Sequence, residues 1–124
     1  VNNGAVRDQS IIKGEIGKLI KTADIPARYY DIVKEGMRLS VTEGTGQSLN
    51  VPYVDMATKS GTAELGTEKA NVNSWMTGFF PYKSPRYAFA ILLEKGSVHN
   101  VIGAGSAMRE VIDWMNVNTP EYFR

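Results

Sequence analysis

The sequence predicts an α+β fold in which an antiparallel sheet of three strands is packed by helices. One observation is the order of the patterns: a helical period, then three strand-like segments, then a second helical period. The other is the short link at 82–85, which joins the last two strand segments as an antiparallel hairpin would. A length of 124 residues, with 43% hydrophobic and 22% charged residues, suits one globular domain.

The N-terminal stretch, residues 1–25, has a mixed pattern that glycines interrupt. Residues 5–6 and 10–12 are short and apolar enough to predict strand-like pieces. Because glycines at 4, 14 and 17 break up this stretch, no long element is expected there.

The first helix is predicted to begin after Asp24 and Pro26. An aspartate side chain can cap free N–H groups, and proline fits a first helical turn. Apolar residues then recur at helical spacing from Tyr29 to Val41, with charged residues mostly on the opposite side. The glycine-rich turn at 44–46 is expected to end this helix.

Three strand candidates follow, at residues 55–65, 73–80 and 86–93. The first is small and polar with Gly61 in its middle, which is typical of a place where a ligand or another backbone approaches closely. The third is almost wholly apolar, so we expect an interior strand that is covered on both faces and paired on both sides. The aromatic side chains of the second are expected in the core: Trp75, Phe79 and Phe80.

A last amphipathic helix is predicted from an i, i+3, i+4 stripe that runs from Ala104 to Met115. Its large side chains Met108, Trp114 and Met115 are expected to be buried. The turn before this helix contains His99, which we expect to be a solvated loop histidine.

Composition excludes several classes of function. With 14 basic and 13 acidic side chains the net charge is +1, and no basic run exists that would favour nucleic-acid binding. The longest apolar run, residues 87–93, is far too short to span a membrane. Without cysteine, and with His99 as the single histidine, the chain offers neither a thiolate nor a multi-histidine ligand set. We therefore expect no metal site and no cofactor.

The segment that points to chemistry is Lys59-Ser60-Gly61-Thr62, within the first predicted strand. Alternation along a strand sends the two hydroxyl side chains to one face and the lysine to the other, while the glycine leaves the backbone accessible. Two hydroxyls, one ammonium and backbone N–H groups suit a substrate that carries a carboxylate and a carbonyl. The same residues also fit an exposed edge strand whose lysine blunts aggregation.

Lys-[Thr/Ser]-Gly is the third motif of penicillin-binding proteins and serine β-lactamases. With its flanks, the chain resembles the C-terminal half of the transpeptidase domain of a class B penicillin-binding protein, and the K-S-G-T form favours the elongation-type branch. The matching segments are Glu35-Gly36-Met37-Arg38, Gly44-Thr45-Gly46, Ala57-Thr58-Lys59-Ser60-Gly61-Thr62-Ala63-Glu64 and Ser74-Trp75-Met76-Thr77-Gly78-Phe79-Phe80-Pro81. The resemblance implies that residues 1–124 form the C-terminal portion of one transpeptidase domain, incomplete at its N-terminus.

The resemblance also implies a role for each residue of the motif. Lys59 would lie near the nucleophilic serine and polarise the serine of the family's second motif. Ser60 and Thr62 would bind the carboxylate of a terminal D-alanine or of a β-lactam, and Gly61 would keep the strand open to it. The backbone N–H of Thr62 would be one of two oxyanion donors.

The family's other two motifs are Ser-x-x-Lys, which supplies the nucleophile, and Ser-x-Asn. Two strings imitate them here, Ser10-Ile11-Ile12-Lys13 and Ser48-Leu49-Asn50. Glycines after the first string make a poor helix, and the family's nucleophile lies much further upstream of the third motif. The second string lies too near the K-S-G-T strand to belong to a separate helical subdomain. The nucleophile is therefore expected outside this chain, and the fragment alone is expected to be inactive.

For the parent protein, the resemblance implies a serine-type D,D-transpeptidase without a cofactor. It would cross-link peptidoglycan stem peptides ending in D-Ala-D-Ala, and β-lactams would acylate it. It would lie in the bacterial cell envelope, on the periplasmic or outer side of the cytoplasmic membrane, attached only through an N-terminal anchor outside these residues. Two alternatives stay open: a β-lactam sensor or serine β-lactamase relative, and a non-catalytic α+β interaction module.

In the family, the strand at 86–93 has a second neighbour that comes from far upstream. Without that neighbour its backbone N–H and C=O groups form an open edge, which is a template for pairing with another chain. We therefore expect the fragment to self-associate through this edge, or to protect the edge with residues 5–12.

Overall fold

The computed structural model describes residues 2–100 and 102–123. The elements are, in chain order, β1 (Ala5–Arg7), β2 (Leu19–Thr22), α1 (Ala27–Thr42), β3 (Ala57–Leu65), β4 (Asn71–Phe80), β5 (Tyr87–Ser97) and α2 (Ala104–Asn118). Short 3₁₀ turns, Gln47–Leu49 and Pro120–Phe123, follow α1 and α2. The predicted α+β class is confirmed, because a helix, three antiparallel strands and a second helix come in the expected order. Within the described ranges, no helix is both long and apolar enough to span a lipid bilayer.

The main sheet has the strand order β3-β4-β5, and both pairs are antiparallel. The register places Ser60 opposite Met76, and Met76 opposite Ile91, so these three side chains share one face. Residues next to them along each strand, such as Trp75, belong to the other face. β1 and β2 pair with each other as a separate small hairpin.

The hydrophobic core lies between α2 and the Met76 face of the sheet. α2 contributes Ala104, Met108 and Ile112, which are spaced four residues apart and are all at most 4% exposed. The segment that leads from α1 into β3 adds further buried side chains: Leu49, Val51, Val54 and Met56. Burying each large apolar side chain contributes about 1.5–3 kcal/mol, so this layer holds α2 against the sheet.

Helix α1 begins at Ala27 without the side-chain cap that the sequence predicts at Asp24. Pro26 is the flanking residue, with φ −55°, no side chain caps the helix, and Asp24 is exposed. The Pro26 carbonyl accepts a hydrogen bond from the Tyr29 N–H at 3.0 Å. The Asp24 prediction is therefore wrong: the fixed backbone of proline starts the helix. The end of α1 at Thr42, just before the glycine-rich turn, agrees with the prediction.

One side chain ties α1 to the start of β3. Arg38 Nη2 lies 2.6 Å from Asp55 Oδ1, and Arg38 Nη1 donates a hydrogen bond to the Met56 carbonyl at 2.9 Å. Because the two bonds use both arms of one planar guanidinium, they fix the direction of the helix relative to the strand.

Strand β5 differs from the fully covered strand that its apolar run predicts. Ala88 and Ala90 are exposed, whereas Phe89 and Ile91 pack against the core from the opposite face. The prediction of cover on both faces is wrong here, because small and large apolar side chains alternate along the strand. Among the described residues β5 pairs with β4 alone, so its second edge is open. β1 pairs with β2 instead; protection of that edge by residues 5–12 is therefore also wrong, while self-association stays a prediction.

The predictions for the aromatic side chains have different outcomes. Phe79 and Phe80 are 3% and 4% exposed, as expected for core residues. Trp75 and Trp114 are 40% and 60% exposed, so their predicted burial is wrong. Trp75 occupies the face opposite Met76, which it shares with the buried Phe79, so the place along the strand as well as the face decides its exposure. Trp114 lies outside the buried stripe of α2.

The segment between β1 and β2 is irregular, so the strand predicted at 10–12 is wrong. Ile11 and Ile12 are 103% and 60% exposed, and an apolar run without a surface to bury it gains nothing from pairing. The sequence does not predict β2, because all four of its residues are exposed and show no alternation.

Candidate active site

The K-S-G-T segment lies on β3, which is an edge strand of the main sheet. β3 pairs with β4 along one side, and no described strand pairs with its other side. Lys59 and Thr62 are exposed, and Ser60 and Gly61 are partly buried. Thr62 lies opposite Ser74, and the register puts both on the same face as Ser60. The four predicted site residues therefore lie on one accessible strand, with the side chains of Ser60 and Thr62 on one face and that of Lys59 on the other.

A groove of about 250 Å³ borders this part of β3. It is an open groove lined by β3, β4, the segment that follows α1 and the N-terminal turn of α2. All the residues that line it are uncharged, and six carry hydroxyl groups: Thr45, Ser48, Ser60, Thr62, Ser74 and Ser106. Hydroxyls can both donate and accept hydrogen bonds, so the groove suits a polar ligand such as a carboxylate.

Small residues allow α2 to begin against the groove. The N–H of Ala104 donates a hydrogen bond to Ser74 Oγ at 3.0 Å, which places the first turn of α2 beside β4. A Cβ atom on Gly103 would lie 3.0 Å from Ser74 Oγ, and one on Gly105 would lie 2.8 Å from Ser48 Oγ. Because they have no side chain, the two glycines let the first turn of α2 approach Ser74 and Ser48 without filling the groove.

Lys59 is the charged residue of the segment; alternation along β3 places its side chain on the face opposite Ser60 and Thr62, and it does not line the groove. Its Nζ donates a hydrogen bond to the Ser60 carbonyl at 2.5 Å. No carboxylate in the described part of the chain forms an ion pair with it. The ammonium is thus held along the strand, with its charge available to a ligand or to a neighbouring hydroxyl.

The two strings that imitate the other family motifs lie in very different places. Ser10 is in the exposed loop between β1 and β2, where its Oγ donates to Glu15 Oε2 at 3.0 Å. This is not the buried helix that a Ser-x-x-Lys nucleophile needs. Ser48 lies in the 3₁₀ turn and lines the groove together with Ser60. His99 is exposed in a turn, in agreement with its prediction.

Sequence reasoning did not assign Thr45 and Ser48 to the site. Both come from the segment after α1, and only the folded chain brings them beside β3. The sequence feature that could have indicated Thr45 is the Gly44-Thr45-Gly46 triplet, because glycines on both sides of a polar residue allow close approach to another backbone.

A hydrogen-bonded network behind the groove holds the turn that carries Ser48. Tyr53 Oη donates a short hydrogen bond to Asp113 Oδ1, and Arg109 Nε donates to Asp113 Oδ2 at 2.7 Å. Arg109 Nη1 also donates to the Ser48 carbonyl at 3.2 Å. The network therefore connects α2 to the 3₁₀ turn and fixes one wall of the groove.

The network raises the pKa values of Tyr53 and Arg109 and lowers the pKa of Asp113. Burial, followed by the hydrogen bond to Asp113, raises the pKa of Tyr53 from 10.0 to about 12. The hydrogen bonds from Tyr53 and Arg109 hold the pKa of Asp113 below its ordinary value of 3.8. The network is thus favoured with Asp113 ionised and Tyr53 neutral.

Tyr53→Phe should lower the free energy of unfolding at pH 7 by about 1 kcal/mol, because it removes one hydrogen bond of the network. Asp113 contributes stability above its ordinary pKa of 3.8 and loses it as the pH falls through its lowered pKa. Tyr53 contributes stability below pH 10 and loses it as the pH rises towards 12. The difference in the free energy of unfolding between parent and variant should therefore be largest between about pH 4 and pH 10.

Urea unfolding of both proteins from pH 3 to pH 11 measures this difference. Tyr122→Phe is the matched control, since Tyr122 is an exposed tyrosine outside the network. A difference that stays constant over the whole pH range would show that the hydroxyl does not act through Asp113.

Comparison with known proteins supports the resemblance. Residues 1–112 match the family model described as penicillin binding protein transpeptidase domain. The peptidoglycan D,D-transpeptidase MrdA of Escherichia coli (strain K12) is 31% identical over 107 residues. That match covers 73% of this chain and 16% of MrdA, so the chain spans a small part of the length of this relative.

Solved structures agree with the fold. The D,D-transpeptidase domain of a peptidoglycan glycosyltransferase from Eggerthella lenta aligns with a TM-score of 0.61 and 25% identity, over 83% of this chain and 25% of that chain. Penicillin-binding protein A from Mycobacterium tuberculosis, solved as an imipenem acyl-enzyme complex, aligns with a TM-score of 0.58 and 26% identity. That alignment covers 77% of this chain and 22% of the other.

Proposed function

Because the chain belongs to the penicillin-binding protein transpeptidase domain family, we propose that it supplies the substrate-binding edge of a serine D,D-transpeptidase. In that reaction a serine attacks the carbonyl between the last two D-alanines of a stem peptide and releases the terminal D-alanine. An amine of a neighbouring stem then takes the acyl group from the serine ester and completes the peptidoglycan cross-link. β-Lactams would acylate the same serine.

The observation that carries this proposal is the K-S-G-T segment on an accessible edge strand beside a hydroxyl-lined groove. Ser60 and Thr62 would donate hydrogen bonds to the substrate carboxylate, with Gly61 leaving room between them. Lys59 would place its ammonium near the nucleophilic serine and the serine of the second motif. The backbone N–H of Thr62 would stabilise the oxyanion of the tetrahedral intermediate.

The names of the relatives favour acyl transfer over the open alternatives. MrdA is named a peptidoglycan D,D-transpeptidase, which speaks for this reaction rather than for a sensor or a serine β-lactamase. The groove beside β3 also argues against a non-catalytic module, because a simple edge strand does not need a hydroxyl-lined wall. The proposal includes a class B, elongation-type role in the bacterial cell envelope, outside the cytoplasmic membrane.

The proposal is tested with a complete transpeptidase domain, meaning a protein that contains these residues together with the Ser-x-x-Lys and Ser-x-Asn motifs. Fluorescent penicillin should label it covalently, and a peptide ending in D-Ala-D-Ala should release D-alanine when an acceptor amine is present. Labelling without any transfer to the amine, followed by fast hydrolysis, would favour the β-lactamase alternative. Absence of labelling in a folded protein would overturn the proposal.

The 124-residue chain on its own should not react with fluorescent penicillin. Its Ser10 lies in an exposed loop, and Ser48 has no lysine in the position of a Ser-x-x-Lys base. Intact-mass spectrometry after incubation checks this, with the complete transpeptidase domain as the positive control. A stable adduct mapped to Ser10 or Ser48 would contradict the assignment of the nucleophile to another segment.

A further inference from the structure

The hydroxyl of Thr45 lies against the proposed carboxylate-binding serine. Thr45 Oγ1 is 2.7 Å from Ser60 Oγ, which is the distance of a good hydroxyl–hydroxyl hydrogen bond. Either oxygen can be the donor in this pair. Thr45 lies in the glycine-rich turn after α1, so the contact joins two segments that are separate in sequence.

The turn is held so tightly that Thr45 has little freedom to move away. The N–H groups of Gly44 and Gly46 both donate to the Ser40 carbonyl, at 3.2 and 2.8 Å. A Cβ atom on Gly46 would lie 2.4 Å from Thr58 Oγ1, and one on Gly44 would lie 3.1 Å from Ser40 Cα. A side chain at 46 would therefore clash with β3, and one at 44 would be tight against α1.

The same helix is fixed to the strand on which Ser60 lies. Arg38 bonds to Asp55 and to the Met56 carbonyl, immediately before β3 begins. Thr45 and Ser60 therefore belong to elements whose relative position is set by contacts other than their own hydrogen bond.

The direction of that hydrogen bond follows from the number of protons. Ser60 has one hydroxyl proton, and a carboxylate can only accept. If Ser60 gave its proton to Thr45, it would have none to give to the ligand. If Thr45 donates, the Ser60 proton stays free, and the bond that Ser60 accepts makes it a stronger donor.

We propose that Thr45 is a positioning residue that donates its hydroxyl proton to Ser60 and thereby directs the Ser60 hydroxyl to the substrate carboxylate. The inference rests on the proposed function, since it concerns the same site. Thr45 itself does not touch the reacting atoms. Its contribution should appear only with ligands that carry the carboxylate.

The test compares Thr45→Val with Thr45→Ser in the complete transpeptidase domain, using benzylpenicillin and its methyl ester as probes. Valine keeps the shape of threonine and removes the hydroxyl, whereas serine keeps the hydroxyl. With benzylpenicillin, Thr45→Val should lower the second-order acylation rate constant by about three- to tenfold. With the methyl ester it should change nothing, and Thr45→Ser should restore the rate with benzylpenicillin.

A loss of equal size with both probes would overturn the inference, because it would show a general structural effect. An unchanged rate with benzylpenicillin would overturn it as well. In a Ser60→Ala background, Thr45→Val should have no further effect, and an additive loss would contradict action through Ser60. A parent protein that reacts with neither probe would instead count against the proposed function.

Discussion

Lys59→Ala should lower the acylation rate of the complete transpeptidase domain by benzylpenicillin about 100-fold or more, which is the range for loss of a group that assists proton transfer. The ammonium is held against the Ser60 carbonyl of the edge strand and would organise the catalytic hydroxyls. Lys59 is exposed and forms no ion pair with the described carboxylates, so its removal leaves no unpaired buried charge. The fold should therefore remain intact, and the whole effect should fall on acylation.

Stopped-flow or gel-based acylation kinetics measure the loss, and thermal unfolding checks the fold. Lys83→Ala is the matched control, because Lys83 is an exposed lysine in the link between β4 and β5. The control should react at the parental rate. If Lys59→Ala also reacted at that rate with its fold unchanged, the catalytic assignment of Lys59 would be wrong.

Thr62→Pro should lower acylation about 100- to 1,000-fold, the usual loss when one oxyanion donor is removed. Proline lacks the backbone N–H that we assign to the oxyanion site. β3 is an edge strand, and edge strands tolerate proline where the missing N–H does not serve the ladder. The loss should therefore arise with the sheet still formed.

Thr62→Ser separates the two roles of this residue, because it keeps both the N–H and the hydroxyl and should react within about threefold of the parent. Circular dichroism and thermal unfolding establish whether the proline variant is folded. A folded Thr62→Pro protein that reacted with penicillin at the parental rate would refute the oxyanion assignment.

Strong periodicity made most of the fold predictable. The first helix, the main sheet and the last helix are found close to their predicted positions, because their apolar residues recur at a regular spacing. β2 has no buried face, so nothing in its four residues distinguishes a strand from a loop. The error at 10–12 has the opposite cause: an apolar run there finds no partner surface.

Periodicity also could not tell which face of an element meets the core when both faces carry large side chains. Trp75 and Met76 are neighbours on β4, and only the packing of α2 decides that Met76 is the buried one. The same holds for Trp114 on α2.

Only the part of the candidate site that lies within one short stretch of sequence was predictable. Lys59, Ser60 and Thr62 belong to one short motif, so the motif identifies them together. Thr45 and Ser48 reach the groove from a separate turn, and their contact with β3 depends on the packing of α1 and α2. A tertiary contact of this kind leaves little trace in a single sequence beyond the glycines that permit it.

The strand order β3-β4-β5 has a consequence for the order in which the domain assembles. Each pair joins strands that are adjacent in sequence, through links at 66–70 and 81–86. Closing short loops costs little chain entropy, and local pairings form quickly. The three strands can therefore pair in their final register before α1 and α2 pack against the sheet. The groove needs the turn after α1 and the start of α2 as well, so we expect it to form after the sheet.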